Sequence, residues 1–415
     1  MSVVALVRRP GFRGLLAGQG VSALGDWMGT VAFMALVLTI TGSPTAVGGI
    51  LALRLLPAAI GGPLAGKAAQ RWDRRRTMLT MDAARAGMIA AVPFIQSLWW
   101  IYMWAFLVEV ASLVFLPARD ASIPDVVDEK DLPTANGLIL GTSYGSIPLG
   151  AALFAAVAAL PFNTIAGHEH ALVFWLDAAT FVVSFYFIAR VPELASAASR
   201  EPPPATDEAG FWSAFSIPLV RAIMPAAASV AIGLGALFSL GIVFVRDVLH
   251  ASDAEFGLLI ALFGAGAVAG LALLQRQSGA DPLNQTRLGV LAIGIVVAIF
   301  SMAPALWAAY LGALAFGAGA AYTLAAGMST LQSRLDGRGR VLAFAAFHVV
   351  IRLGLGLAAI GAGLAGELVE SVNWPLVGHL EPSRVVLLCS GLLTIVSTSL
   401  VWEYGRKPDA SAPDP

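Results

Sequence analysis

The sequence predicts an all-α polytopic membrane protein with twelve transmembrane helices in two six-helix halves. Three observations carry this. Apolar stretches follow one another along the chain with short connections between them, as at 27–40, 46–64, 151–160 and 289–302, and a helix needs about 20 mostly apolar residues to cross the hydrocarbon core. The chain is 58% hydrophobic and 12% charged, with a mean hydropathy of +0.80, whereas a soluble domain carries about a quarter charged residues. A single polar break interrupts the apolar pattern near its middle, at 192–210, with Glu201-Pro202-Pro203-Pro204 at its centre.

In chain order the spans are expected at 14–40, 46–66, 77–97, 99–118, 134–160 and 171–190 before the break. After it they are expected at 221–245, 254–274, 286–303, 305–330, 339–366 and 383–404. Span one reads as membrane helix, not signal peptide, because no small-residue cleavage site accompanies it. Orientation follows the basic residues, which stay on the cytoplasmic side. One set of connections holds Arg8, Arg9, Arg13, Lys67, Arg71, Arg74, Arg75, Arg76, Arg119, Lys130, Arg190, Arg200, Arg276, Arg334, Arg338, Arg340, Arg406 and Lys407; the other holds only Arg246 and Arg384. Both termini are therefore expected in the cytoplasm. The Pro-rich break has linker composition, which divides the chain into a bundle at 1–190, a linker at 191–212, a second bundle at 213–405 and a tail at 406–415. Directly after the polar break, Phe211-Trp212-Ser213-Ala214-Phe215 is short and aromatic and suits the membrane surface.

Charged residues inside apolar spans are the sharpest functional clue. A charge near the bilayer centre costs at least about 2.5–3.5 kcal/mol on insertion scales, so it usually faces a cavity or a partner. Asp26 in span one, Arg54 in span two, Glu109 in span four and Arg352 in span eleven lie well inside. Asp26 and Glu109 are candidates for carrying a proton, with Arg54 as the neighbouring counter-ion; the competing reading is a permanent ion pair that holds the first half together. His348 lies four residues before Arg352 and so shares its helix face; such a histidine either titrates or packs. Asp177, nearer the outer end of span six, is not taken as functional. His168, Glu169 and His170 have spacing that permits a weak metal site, but they read as a solvated outer loop. Trp27, Tyr144, Phe238 and Tyr322 fall within the expected spans and would suit a bulky lipophilic substrate through stacking or cation–π contact.

The loop between spans two and three reads Gly62-Pro63-Leu64-Ala65-Gly66-Lys67-Ala68-Ala69-Gln70-Arg71-Trp72-Asp73-Arg74-Arg75-Arg76. Its Gly61–Lys67 portion imitates a phosphate-binding loop, yet Ala68 stands where a magnesium-binding Ser or Thr belongs and the segment leaves a membrane helix. On this loop the chain resembles the major facilitator superfamily. That family carries a glycine here, then an acid and a base after three residues, then a basic cluster. Gly66, Arg71, Arg74, Arg75 and Arg76 fit, while Gln70 replaces the usual acid and Asp73 sits where a glycine is common. The resemblance implies a gating loop whose basic residues lock helix ends and release them as the transporter rocks, with Asp73 or Asp82 standing in for the missing acid. The plainer reading makes the arginines positive-inside anchors.

Further stretches are similar to the branch holding macrolide and multidrug exporters and the enterobactin exporter. They are Leu116-Pro117-Ala118-Arg119-Asp120-Ala121-Ser122-Ile123-Pro124-Asp125-Val126-Val127, Ala135-Asn136-Gly137-Leu138, Gly25-Asp26-Trp27 and Asp82-Ala83-Ala84-Arg85-Ala86. In span five, Gly141, Gly145, Pro148 and Gly150 resemble the Gly-rich motif of proton-coupled exporters, although two residues separate Gly145 from Pro148. Ordinary helix packing, as at Gly266-Ala267-Val268-Ala269-Gly270, is the alternative. The second half matches the family only in hydropathy and layout.

The resemblance implies two pseudo-symmetric bundles working by alternating access, with spans one, four, seven and ten lining the cavity. The expected function is proton-coupled efflux of a lipophilic drug or secreted metabolite from a bacterial inner membrane, by a monomer whose partners are the lipid bilayer, the small lipophilic substrate and protons. Import or uniport of a small nutrient, or a non-transporting membrane sensor, stay open. A single cysteine, Cys389, excludes a disulfide within the chain and a cysteine-based metal cluster. No nucleophile–base set, metal motif, cofactor loop or nucleic-acid-binding feature is present in the sequence, so an enzyme, a metal, a cofactor and a nucleic-acid partner are not expected.

Overall fold

The computed structural model describes residues 3–55, 57, 73–128, 131–165, 167–191, 194, 211–277, 280–335, 337–369, 372–374 and 378–404. After a short helix at Val3–Val7 come α1 (Pro10–Thr41), α2 (Pro44–Leu55), α3 (Arg74–Ala91), α4 (Leu98–Val126), α5 (Leu132–Ala158) and α6 (Ala171–Ala189). A helical turn at Phe211–Ser216 leads into α7 (Pro218–Val243), α8 (Asp253–Arg276), α9 (Pro282–Ser301), α10 (Leu306–Arg334), α11 (Gly337–Leu368) and α12 (Pro382–Tyr404). Among the described residues, ten helices are long and apolar enough to cross a membrane. Two expected spans fall short of that standard for visible reasons. The described part of α2 is short, and α3 opens on three arginines and carries Asp82 and Arg85.

One addition to the all-helical expectation is a small antiparallel hairpin, β1 (Val372–Trp374) with β2 (Gly378–Leu380), between α11 and α12. The aromatic segment at 211–216 forms a turn whose Ala214 is buried in an apolar cluster with Leu219, Ile223, Leu331 and Phe347. The expected linker at 191–212 falls mostly outside the described residues.

The chain forms two compact units. One comprises Met1–Gly42, Leu53–Thr206 and Ser252–Ala261; the other comprises Ser43–Ala52, Asp207–Ala251 and Leu262–Pro415. In the first, α1 packs on α5 and α6, and α3 packs on α4 and α6. In the second, α7 packs on α11 and α12, and α9 packs on α10 and α12. Every pairing therefore recurs six helices further on, which is the pseudo-symmetry of a duplicated bundle.

Lipid supplies little hydrophobic drive between helices, so close backbone approach at small residues does much of the work. On α1, a Cβ at Gly14 would come within 2.7 Å of Val191 and one at Gly18 within 3.3 Å of the Ser184 carbonyl, both at the α6 end of the unit. A Cβ at Gly150 of α5 would lie 2.7 Å from the Leu24 carbonyl and 2.7 Å from Trp27 Cβ on α1. The second unit repeats the pattern more loosely, with Gly233 of α7 facing Thr394 and Ser390 of α12. There Ser229 and Ser397 share a hydrogen bond of 2.6 Å, and Thr394 donates to the Ser229 carbonyl at 3.2 Å. The α1–α6 and α7–α12 seams are thus equivalent and both polar. The glycines at 266 and 270 do pack: a Cβ on either would strike α10 at Leu314 or Ala318.

Candidate functional site

The polar centre of the first unit is assembled from α1, α2, α3, α4 and α6. Asp26 of α1 and Arg54 of α2 form an ion pair at 3.9 Å, both half-buried. Arg54 also lies over the Phe33 ring at 5.7 Å, and Phe33 packs edge-on against Phe174 of α6. Deeper in the bundle, Arg85 and Asp82 of α3 pair one turn apart, as i,i+3 spacing on a helix allows. Asp82 accepts a second hydrogen bond from Ser184 of α6 at 2.8 Å. The Arg85 guanidinium is held between Phe115 of α4 and Phe181 of α6, at 4.2 and 4.4 Å from the ring centroids, and reaches Ser112 of α4 at 3.4 Å. Stacking of this kind suits a planar, weakly hydrated cation removed from water.

Asp177 of α6 completes the group. It is 1% exposed, and the backbone of α1 gives way for it: a Cβ at Gly25 would run into Asp177 Oδ1 and Thr180 Oγ1, and a Cβ at Gly29 into Asp177 Oδ2. This cluster thus brings three carboxylates, Asp26, Asp82 and Asp177, together with two guanidiniums, Arg54 and Arg85. In such a setting neighbouring charges shift the protonation equilibrium of each group.

Of the residues expected from sequence, Asp26 and Arg54 are brought together. Glu109 lies half-buried in α4, one turn before Ser112. Gly66 and Arg71 of the gating loop lie outside the described residues. The described residues of the expected loop, 73–76, make helix-end contacts. Asp73 caps α3, accepting from the Arg76 amide at 2.6 Å; Arg74 pairs with Asp125 of α4 at 3.0 Å; Arg75 donates to the Ala189 carbonyl at the end of α6. Asp125 thus gives Arg74 an acid from α4, whereas Asp82 is occupied deeper in the bundle.

In α5, a Cβ at Gly141 or Gly145 would meet nothing within 4 Å among the described residues, while Gly150 is packed on α1 and Pro148 lies inside the helix. Trp27 lies half-buried at the Gly150 contact. In the second unit Phe238 packs against Phe263 at 5.7 Å, and the Tyr322 hydroxyl donates to Gln277 at 2.7 Å. Arg352 is exposed on α11; the side chains of Tyr144 and His348 lie outside the described part of the structure.

Two expectations are corrected. Asp177 is no bystander on a peripheral span but is buried against α1. His170 does not belong to a solvated loop: it is 3% exposed, lies 2.9 Å from Asn163 and 3.2 Å from Asp253, and packs against Phe154. The missing signal for Asp177 was the Gly25/Gly29 pair, four apart on one face of span one. For Asp82 and Arg85 the i,i+3 spacing of opposite charges was visible in the sequence.

Comparison with known proteins agrees with this architecture. Residues 15–359 match the family model described as Major Facilitator Superfamily. An uncharacterized MFS-type transporter, YfiS of Bacillus subtilis (strain 168), is 25% identical over 292 residues, covering 69% of this chain and 68% of that protein. Among solved structures, the nucleoside transporter NupG superposes with a TM-score of 0.77 at 12% identity, covering 97% of this chain and 100% of that one. A bacterial homologue of the human lysosomal transporter Spinster, in an inward-facing and unoccupied conformation, gives 0.74 at 17% identity over 95% and 96%. A bacterial homologue of the iron transporter ferroportin gives 0.72 at 14% over 98% and 100%.

Proposed function

The chain belongs to the Major Facilitator Superfamily, and from that premise we propose that this multi-pass membrane transporter couples proton entry to efflux of a lipophilic drug or secreted metabolite. It would work by alternating access as a monomer in a bacterial inner membrane, with both termini cytoplasmic and no bond-changing chemistry. The observation that supports this best is the Asp26–Arg54 pair, at 3.9 Å within apolar helices. At that separation the attraction is real but the contact is not closed, so either partner can be released. A proton arriving on Asp26 frees Arg54; loss of the proton restores the pair. A carboxylate that gains and loses its counter-ion in this way is what proton coupling requires.

In this proposal Glu109 is a second proton-carrying carboxyl, and Asp73, Arg74, Arg75 and Arg76, with Gly66 and Arg71, form the gating loop. Gly141, Gly145, Pro148 and Gly150 form the span-five motif. The rings of Trp27, Tyr144, Phe238 and Tyr322 receive a bulky apolar substrate, with His348 and Arg352 in secondary roles.

Proton movement in everted membrane vesicles with an acidic interior tests this. Lipophilic cations, macrolides and catechol siderophores are added in turn to vesicles holding the wild type or Asp26→Asn. Proton release triggered by one compound and absent in the variant is the expected result. Proton release equal in both removes Asp26 from the coupling, and no release with any compound favours an importer, a uniporter or a sensor.

A further inference from the structure

The ion pairs in the first unit do not balance one to one. Arg85 is committed to Asp82: the two are in contact, Ser184 closes the other side of that carboxylate, and two phenyl rings fix the guanidinium. Arg85 is 2% exposed. Arg85 also acts through space on Asp26 and Asp177, so two guanidiniums, Arg54 and Arg85, face three carboxylates, Asp26, Asp82 and Asp177. Asp26 lies between Gly25 and Gly29 in the chain, and those are the two positions where α1 yields to the Asp177 carboxyl. The charged groups acting on Asp177 are Asp26 from α1, Arg54 from α2 and Arg85 from α3, with Asp82 held behind Arg85.

One guanidinium neutralises one carboxylate. A third carboxylate left ionised in an apolar bundle is strongly disfavoured, and two acids sharing one site resolve the conflict by keeping a proton between them. We propose that Asp177 is a coupling residue that shares a single proton with Asp26, lodging it in the Gly25/Gly29 slot while Arg54 holds Asp26. The local geometry suits a neutral acid. The Thr180 hydroxyl has one proton and lies 2.6 Å from the Asp177 backbone carbonyl but 3.4 Å from Oδ1. With that one proton directed mainly to the shorter contact, the longer one gives an anionic Oδ1 little stabilisation. When the proton moves to Asp26, Asp177 becomes the anion and Arg54 its counter-ion; no atom other than the proton is transferred. This inference rests on the proton-coupled function proposed above and extends it to a residue on another helix.

Infrared difference spectroscopy on purified protein in lipid nanodiscs tests it, reading the carbonyl band of protonated carboxyl groups at neutral pH with deuterium exchange to identify it. Wild type should show one such band. It should vanish in Asp177→Asn and also in Asp26→Asn, because with either acid removed Arg54 neutralises the one that remains. Arg54→Gln should add a second band. A band that survives in Asp26→Asn means that Asp177 keeps a private proton and overturns the sharing, as does a wild type with no such band. If Asp177→Asn does not yield a monodisperse protein, the Asp26→Asn and Arg54→Gln arms decide alone, since both read the native Asp177. The vesicle assay separates the two proposals. The infrared pattern without proton-coupled flux in the wild type removes the coupling and leaves the shared proton standing. Coupled flux without the pattern does the reverse.

Discussion

Ser184 of α6 donates to Asp82 of α3 at 2.8 Å, so a fully buried carboxylate is gripped from a second helix as well as by Arg85 on its own. Removing one member of a buried pair strands the other, which costs about 3–5 kcal/mol. Arg85→Gln should lower unfolding stability in detergent by that order, and Asp82→Asn on top of it should recover most of the loss. Additive losses in the double variant would show that the two residues do not depend on each other.

Asp26→Asn should abolish substrate-triggered proton movement while leaving membrane insertion and expression intact. The amide keeps the size of the side chain and removes both its charge beside Arg54 and its ability to carry a proton. Vesicle proton flux, normalised to protein in the membrane, checks it; full flux in the variant would assign the coupling elsewhere.

Within α5, two glycines of one motif should behave oppositely. Gly150→Ala drives a methyl against the Leu24 carbonyl and Trp27, an overpacking that costs about 1–3 kcal/mol. Gly145→Ala meets nothing within 4 Å among the described residues, and alanine in a helix interior gains about 0.5–1 kcal/mol over glycine. Melting curves of the two variants beside wild type should fall on opposite sides of it.

Near the start of α1, Arg9 and Asp128 pair at 2.5 Å, and that hydrogen bond raises the guanidinium pKa above its ordinary value. A raised basic group contributes stability that is present below its unfolded pKa and lost only as pH climbs through the folded one. For arginine both lie above the working range, and ordinary carboxylates are fully ionised above about pH 6. The stability difference between wild type and Asp128→Asn should therefore stay constant from pH 6 to 9. A slope in that interval would mean that another titrating group senses the pair.

Most of the fold was legible in the sequence because hydropathy and length act on every span alike, and the lipid imposes them regardless of packing. α3 was the least legible span, since three arginines and the Asp82–Arg85 pair dilute its apolar character. Asp26 and Arg54 announced themselves as charges in apolar runs. Asp177 was equally charged and equally enclosed, yet its setting is made by absent side chains at Gly25 and Gly29, which carry no chemical label. His170 was misjudged for a related reason: its partner Asp253 lies on another helix, 83 residues along the chain, and local composition says nothing about such a meeting.

The two equivalent seams differ in one respect that reaches beyond either unit. Along α7–α12 the described polar groups include the hydroxyls of Ser229, Ser390, Thr394 and Ser397, while along α1–α6 they include the carboxyl of Asp177 with Asp26 beside it. A membrane voltage exerts about 2.3 kcal/mol per elementary charge for each 100 mV, and a neutral hydroxyl does not feel it in that way. Two repeats of one architecture are therefore electrically unequal at this seam. In the proposal above, the first repeat feels the voltage here only once its shared proton has left, and along the second seam no described carboxyl offers such a charge.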